Sequence, residues 1–245
     1  LGIDSLPPPA YTAPVYPSLH DGGKLMLFFI EQGRGPRYTG HGAHGHGIEA
    51  PRMRGVAAVR GELRALQRGY GARAVCFTGS RHAWTATLEL AHAMKGCGSL
   101  RYSAEGPAAG LEAQDAAALA ASGCRAVDVH LTTGSQRLLE DFHGHGFGVS
   151  EAETALRAAC RARIFTSVAL SYPCPMDDYH SEAEIVRLLG RGAPDAVRIA
   201  PPFIEPCSRW RQDPGRYGFR IAPARYLRWL GAADLEPRWL DGAGA

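Results

Sequence analysis

Short apolar runs alternate with amphipathic helical patterns from Lys24 to Ala200, and this alternation restricts the possible folds more than any other feature of the chain. The runs at 25–30, 74–77, 100–103, 126–131, 164–170 and 196–199 are short and largely apolar, which predicts strands covered on both faces. Between them, residues 56–68, 83–94, 111–121, 151–161 and 181–189 read as helices. In the first of these, Val59, Leu63 and Leu66 recur three and four apart and define one buried stripe. Ser150 before Glu151 and Glu153, and Ser181 before Glu182 and Glu184, read as helix starts, and Gly123 after Ser122 reads as a stop. A strand and helix repeating every roughly 25 to 35 residues is a βα unit, and such units build a parallel sheet. Six units predict an α/β fold, a partial (βα)6 TIM-like barrel; a doubly wound sheet shares the periodicity and is the alternative.

The 245 residues are 45% hydrophobic and 21% charged, enough for one sizeable core, with a formal net charge of +3. Arginines are scattered among acids, so the charge pattern offers no surface for nucleic acid or membrane. No apolar stretch reaches the roughly 18 residues of a membrane span, and no basic segment leads into an apolar one as in a secretory signal. The expected location is the cytoplasm. Cys76, Cys97, Cys124, Cys160, Cys174 and Cys207 have neither C-x-x-C nor disulfide-scaffold spacing and read as buried small residues or free thiols. The chain opens at Leu1 and runs through a Pro-rich stretch at 6–17. Residues 1–22 are therefore expected to be an extended linker from an upstream domain, 23–205 the barrel, and 206–245 a C-terminal extension packed on it.

In parallel α/β architectures, ligands bind at the carboxyl ends of the strands. Those ends are Gly33 to Gly47, Thr78-Gly79-Ser80, Ala104-Glu105-Gly106, Thr132-Thr133-Gly134-Ser135, Ser171-Tyr172-Pro173 and Ala200-Pro201-Pro202. Glycine lets backbone amides approach a polar ligand and the hydroxyls supply donors, although the same residues also make ordinary turns. Six such ends on one rim point to a ligand site.

Several segments carry a family resemblance. Asp4-Ser5-Leu6-Pro7-Pro8-Pro9, the extended stretch to Tyr16-Pro17, and the strand leading into Gly33-Arg34-Gly35-Pro36 resemble the entry into the barrel of cobalamin-dependent radical SAM enzymes. Arg68-Gly69-Tyr70-Gly71, Ala121-Ser122-Gly123-Cys124, Thr133-Gly134-Ser135-Gln136 and Pro194-Asp195-Ala196-Val197 agree in order. Pro206-Cys207-Ser208 and Asp213-Pro214-Gly215-Arg216-Tyr217-Gly218 resemble a pattern of one branch of that family. The resemblance implies a 4Fe-4S cluster held by C-x3-C-x2-C after the first strand, where three thiolates leave one iron free for S-adenosylmethionine. Aligned on Pro36, those positions are Gly35, Thr39 and Gly42, none of them a thiolate.

The resemblance also implies a nucleotide pocket walled by Phe77, Thr78 and Gly79, by His130, Thr133 and Ser135, by Thr166 and Ser167, and by Arg198. Position 132, often acidic in the family, is threonine. Cobalamin would sit in an upstream domain or a partner protein, and the small-molecule substrate is not named by the residues. Two functions follow: a divergent, non-radical member that still binds S-adenosylmethionine, or a pseudoenzyme that serves as a scaffold or partner-binding module.

Three further groups stand out. His41, His44 and His46 in the first loop and His143 and His145 after the fourth strand are imidazoles in glycine-rich loops, able to ligate zinc, nickel or iron or else simply solvated. Asp128 and His130 are next but one to each other and project from the same side of the sheet. With Glu105 they form either an acid and base set inside a barrel or a hydrogen-bonded polar pair that fixes the core. Asp177 and Asp178 read as helix-entry carboxylates. Trp210, Trp229, Trp239, Tyr217, Phe219 and Tyr226 are placed to cap the open side of a barrel; the interleaved arginines make base stacking the sharper alternative.

Overall fold

The computed structural model describes residues 3–5, 7, 9–11, 27–34, 52–79, 84–94, 97–202, 204, 208–221 and 235–237. Within them, six strands form one parallel sheet: β1 (Leu27–Glu31), β2 (Ala74–Thr78), β3 (Arg101–Pro107), β4 (Cys124–Thr132), β5 (Phe165–Ser171) and β6 (Ala196–Ala200). They lie side by side in chain order. A doubly wound sheet reverses direction part-way across, so this order decides for the barrel. Among the described residues β1 and β6 do not pair, and the barrel stays open.

Five helices follow the strands: α1 (Val56–Tyr70), α2 (Trp84–Met94), α3 (Ala113–Ala121), α4 (Val149–Arg161) and α5 (Tyr179–Gly192). Each touches the next, as right-handed crossovers stepping one way along a sheet require, and they form one layer on the convex face. Strand alternation then sorts the side chains. Val75, Phe77, Tyr102, Val127, Val129 and Val168 face the helices and are buried against residues such as Val59 and Leu63 of α1 and Leu156 of α4. A buried side chain of this size contributes about 1.5–3 kcal/mol.

Two helix starts lie upstream of the serines that suggested them. In α4 the N-cap is Gly148, whose N–H donates to the Glu151 carboxylate at 2.8 Å, and Ser150 falls inside the first turn. In α5 the N-cap is Asp178, which accepts the Ser181 N–H at 2.8 Å while its own N–H donates to Ser181 Oγ at 2.9 Å. Only the α5 cap is reciprocal, with Ser181 as the third-position partner of Asp178; Gly148 has no side chain, and its cap is the single bond to Glu151. The helix α5 also runs past Leu189 through Gly190 and Gly192. A Cβ on Gly192 would lie 2.7 Å from Leu156 Cδ1, so the glycine is needed where α5 crosses α4.

A short antiparallel ribbon pairs Gly33–Arg34 with Arg52–Met53 and closes the base of the first loop. Asp4 accepts the Gly55 N–H at 3.0 Å and pairs with Arg54 at 3.5 Å, while the Tyr11 ring packs edge-on against Phe28 at 4.9 Å. Those contacts seat the described part of the N-terminal stretch on the barrel. Among the described residues, no helix is long and apolar enough to cross a membrane.

Candidate functional site

Towards the carboxyl ends of β3 to β6 the concave face is polar, whereas Leu27 and Phe29 of β1 and Phe165 of β5 are apolar on the same side. Register places Glu105, Asp128 and Ser167 in one row across β3, β4 and β5, with His130 and Arg198 one step nearer the carboxyl ends on β4 and β6. Ala169 stands between His130 and Arg198 in register, and its methyl group leaves room for Arg198 to reach across to Asp128. The result is one network drawn from five strands. The Gly79 N–H at the end of β2 donates to Glu105 Oε1 at 2.9 Å, and Ser167 Oγ donates to Asp128 Oδ1 at 2.6 Å. The second oxygens, Glu105 Oε2 and Asp128 Oδ2, lie 3.5 Å and 3.3 Å from His130 Nε2. Arg198 Nη2 donates to the same Asp128 Oδ2.

Burial by itself would raise the Asp128 carboxyl. Hydrogen bonds from His130 and Ser167, with the charges of His130 and Arg198, outweigh it and hold the group at about 2. Asp128 is thus a fixed anion at neutral pH. The His130 side chain is only 5% exposed and lies between the two carboxylates.

The structure separates the residues proposed for a pocket. Thr78, His130, Ser167 and Arg198 share the concave face with Glu105 and Asp128, and Gly79 lies at its rim. Phe77 and Thr166 project to the other side: Phe77 packs on the Tyr102 ring at 5.3 Å, and Thr166 Oγ1 donates to the Ile164 carbonyl. Thr133 and Ser135 are buried in the turn after β4, where the Ser135 N–H donates to Thr133 Oγ1 at 3.2 Å. Gly134 between them presses on α5, since a Cβ there would fall 2.7 Å from Ile185 Cα.

His143 and His145 lie beside this turn with nearly parallel rings 5.6 Å apart. His143 Nε2 is 3.9 Å from Cys174 Sγ, and His145 Nε2 is 3.1 Å from Thr132 Oγ1. Both join an aromatic cluster in which Trp210 stacks on Phe142 and donates to its carbonyl at 2.7 Å. His41, His44, His46, Gly35, Thr39 and Gly42 lie outside the described residues, as do Trp229, Tyr226 and Trp239.

One polar residue at the rim had escaped notice. Gln32, directly after β1, is 1% exposed, and neither its amide oxygen nor its amide nitrogen has a hydrogen-bond partner among the described residues. Its backbone is held by a bond from its N–H to the Thr78 carbonyl at 2.7 Å. A buried, unsatisfied amide at a strand's carboxyl end is the type of group that a polar ligand completes. The only sequence signal was its place next to the first loop.

Among solved structures the chain resembles the radical S-adenosylmethionine methyltransferase TsrM from Kitasatospora setae, solved with cobalamin and a 4Fe-4S cluster. The TM-score is 0.65 at 17% identity over 84% of this chain and 45% of that one. The chain has the radical SAM fold. The radical SAM enzyme HemN from Escherichia coli, coproporphyrinogen III oxidase, matches with a TM-score of 0.56 at 11% identity, over 83% of this chain and 50% of that one. The cobalamin-dependent S-adenosylmethionine radical enzyme OxsB, with aqua-cobalamin and S-adenosylmethionine bound, matches with 0.56 at 13% identity over 66% and 26%. This chain therefore spans less than half the length of TsrM. No protein-family profile matches it, and neither does any curated protein sequence.

The cluster that this fold carries elsewhere does not fit the thiols present. No C-x3-C-x2-C occurs in the chain, and no cysteine precedes Cys76. Among the described residues Cys97, Cys124 and Cys174 are buried, Cys76 is half-buried and Cys160 exposed, and no two share a strand, helix or loop. Burial pushes the Cys124 thiol up to about 12 and raises Cys174 as well, whereas cluster ligands must be thiolates.

Proposed function

We propose that this chain is a divergent radical SAM-type barrel that binds S-adenosylmethionine on its concave rim without building a 4Fe-4S cluster. The observation that carries the reading is the coexistence of the radical SAM fold with a polar concave face and a chain free of the thiol triad. Bound S-adenosylmethionine would supply an electrophilic methyl group. On the protein side, the Thr78 side chain and the Gln32 amide, which has no hydrogen-bond partner among the described residues, offer polar partners for a ligand at the strand ends. Asp128 stays ionised throughout the neutral range but is paired with Arg198, so Glu105 is the carboxylate left to meet a sulfonium cation at the strand ends. His130 is placed to exchange a proton with either carboxylate at 3.3–3.5 Å. Cobalamin would come from an upstream domain or a partner, as the cobalamin-bound relatives suggest.

Isothermal titration of the chain with S-adenosylmethionine tests this reading. The expected result is one site per chain with a dissociation constant below about 1 mM, weakened by Gln32→Ala. Absence of binding would overturn it and leave the second reading, a partner-binding scaffold. That alternative draws on exposed apolar side chains at both sheet edges: Leu27 and Phe29 on β1, and Val197 and Ile199 on β6.

A further inference from the structure

The structure assigns to Glu105, Asp128 and His130 a binding site for one divalent transition-metal cation of the zinc class, on the concave face and distinct from His143 and His145. The three donor atoms all lie within 4.8 Å of one another. A tetrahedral ion with bonds of about 2.1 Å has ligand edges of about 3.4 Å. The two edges at His130 Nε2 measure 3.3 Å to Asp128 Oδ2 and 3.5 Å to Glu105 Oε2. An imidazole and two carboxylates are borderline donors that suit Zn2+ and Co2+ and are poorly matched to the all-oxygen shells of Ca2+ or Mg2+.

The outer shell supports the same conclusion. Each carboxylate is anchored through the oxygen that would not bind the ion: Glu105 Oε1 by the Gly79 N–H and Asp128 Oδ1 by Ser167 Oγ. Anchors of this kind orient metal ligands, and they aim Oε2 and Oδ2 at His130. Three protein ligands are one fewer than a tetrahedral ion takes, the number found in catalytic rather than structural zinc sites. Arg198 is the competitor, since it shares Asp128 Oδ2 with His130. Its side chain is 56% exposed and can swing into solvent when an ion arrives. An imidazole gives up its proton on ligation, so a bound set of two carboxylates and one imidazole would carry a charge of about −2 and match a divalent ion.

The test is titration of the metal-free chain with Co2+ and Zn2+, read by Co2+ visible absorption and by calorimetry. One Co2+ per chain with intense tetrahedral bands is expected, displaced by one equivalent of Zn2+. Glu105→Gln and His130→Ala should each weaken binding at least 100-fold, Ser167→Ala about tenfold, and Arg198→Ala should tighten it severalfold. Circular dichroism melts of the metal-free variants separate lost ligation from lost folding, and Glu105→Gln is the substitution least damaging to the core. Lack of stoichiometric binding overturns the site. So does binding that survives Glu105→Gln and disappears when His41, His44 and His46 are replaced by alanine. The readout is independent of S-adenosylmethionine, so failure of the metal site and failure of the proposed function are distinguishable.

Discussion

The two faces of one sheet differ in nearly everything but backbone. On the convex side, Val75, Phe77, Tyr102, Val127, Val129 and Val168 are fully enclosed beneath the helices. On the concave side, one residue away along the same strands, stand Glu105, Asp128, His130 and Ser167, linked to each other rather than to a core. Strand periodicity of two lets a single segment serve both purposes, and a one-residue slip would exchange them. Stability therefore resides on one face and chemistry on the other, a division that substitutions can test separately.

Phe77→Ala should have the largest effect. Phe77 is 1% exposed, and its loss from the convex core is expected to cost about 3–5 kcal/mol, read as a lowered urea midpoint. A cost below about 1 kcal/mol would mean that the helix layer is loosely packed and the contrast between faces is wrong. Gly106→Ala comes next. A Cβ at Gly106 would fall 2.5 Å from Trp84 Cζ2, and Trp84 is itself held by its indole N–H donating to the Pro107 carbonyl at 2.9 Å. Overpacking there should cost about 1–3 kcal/mol in the same assay.

The smallest effect belongs to the concave face and appears in pH dependence. The Asp128 carboxyl is lowered from 3.8 to about 2 by folding, so its ionised form favours the native state. That contribution is complete above about pH 4 and is lost as pH falls towards 2. Thermal melts across this window should show Asp128→Asn with a shallower loss of stability than the parent chain. Identical slopes would mean that the Arg198, Ser167 and His130 contacts do not persist in solution.

The architecture was legible in the sequence because convex-face residues are apolar and recur at helix and strand spacing. The concave face was harder to read for the same reason. The third strand looked complete at 103, since Glu105-Gly106-Pro107 has the composition of a turn, yet β3 continues to Pro107 with Gly106 accommodating Trp84. The pairing of Asp128 with His130 followed from spacing alone, whereas the arrival of Ser167 and Arg198 depended on register between strands far apart in the chain. The turn Leu139–His143 is a π-helix, which escapes a 3.6-residue period, and it places Phe142 against Trp210. Two helix starts lie two residues before the expected ones because Gly148, which has no side chain to signal a cap, and Asp178 are the N-caps and leave Ser150 and Ser181 inside their helices.

Iron and acid-labile sulfide content after anaerobic reconstitution tests the central claim most directly, namely that a radical SAM fold persists here without its cluster. Neither stoichiometric iron nor sulfide is expected, and no cluster absorption. About four irons and four sulfides per chain would contradict it and show that ligands other than a thiol triad hold a cluster on this barrel.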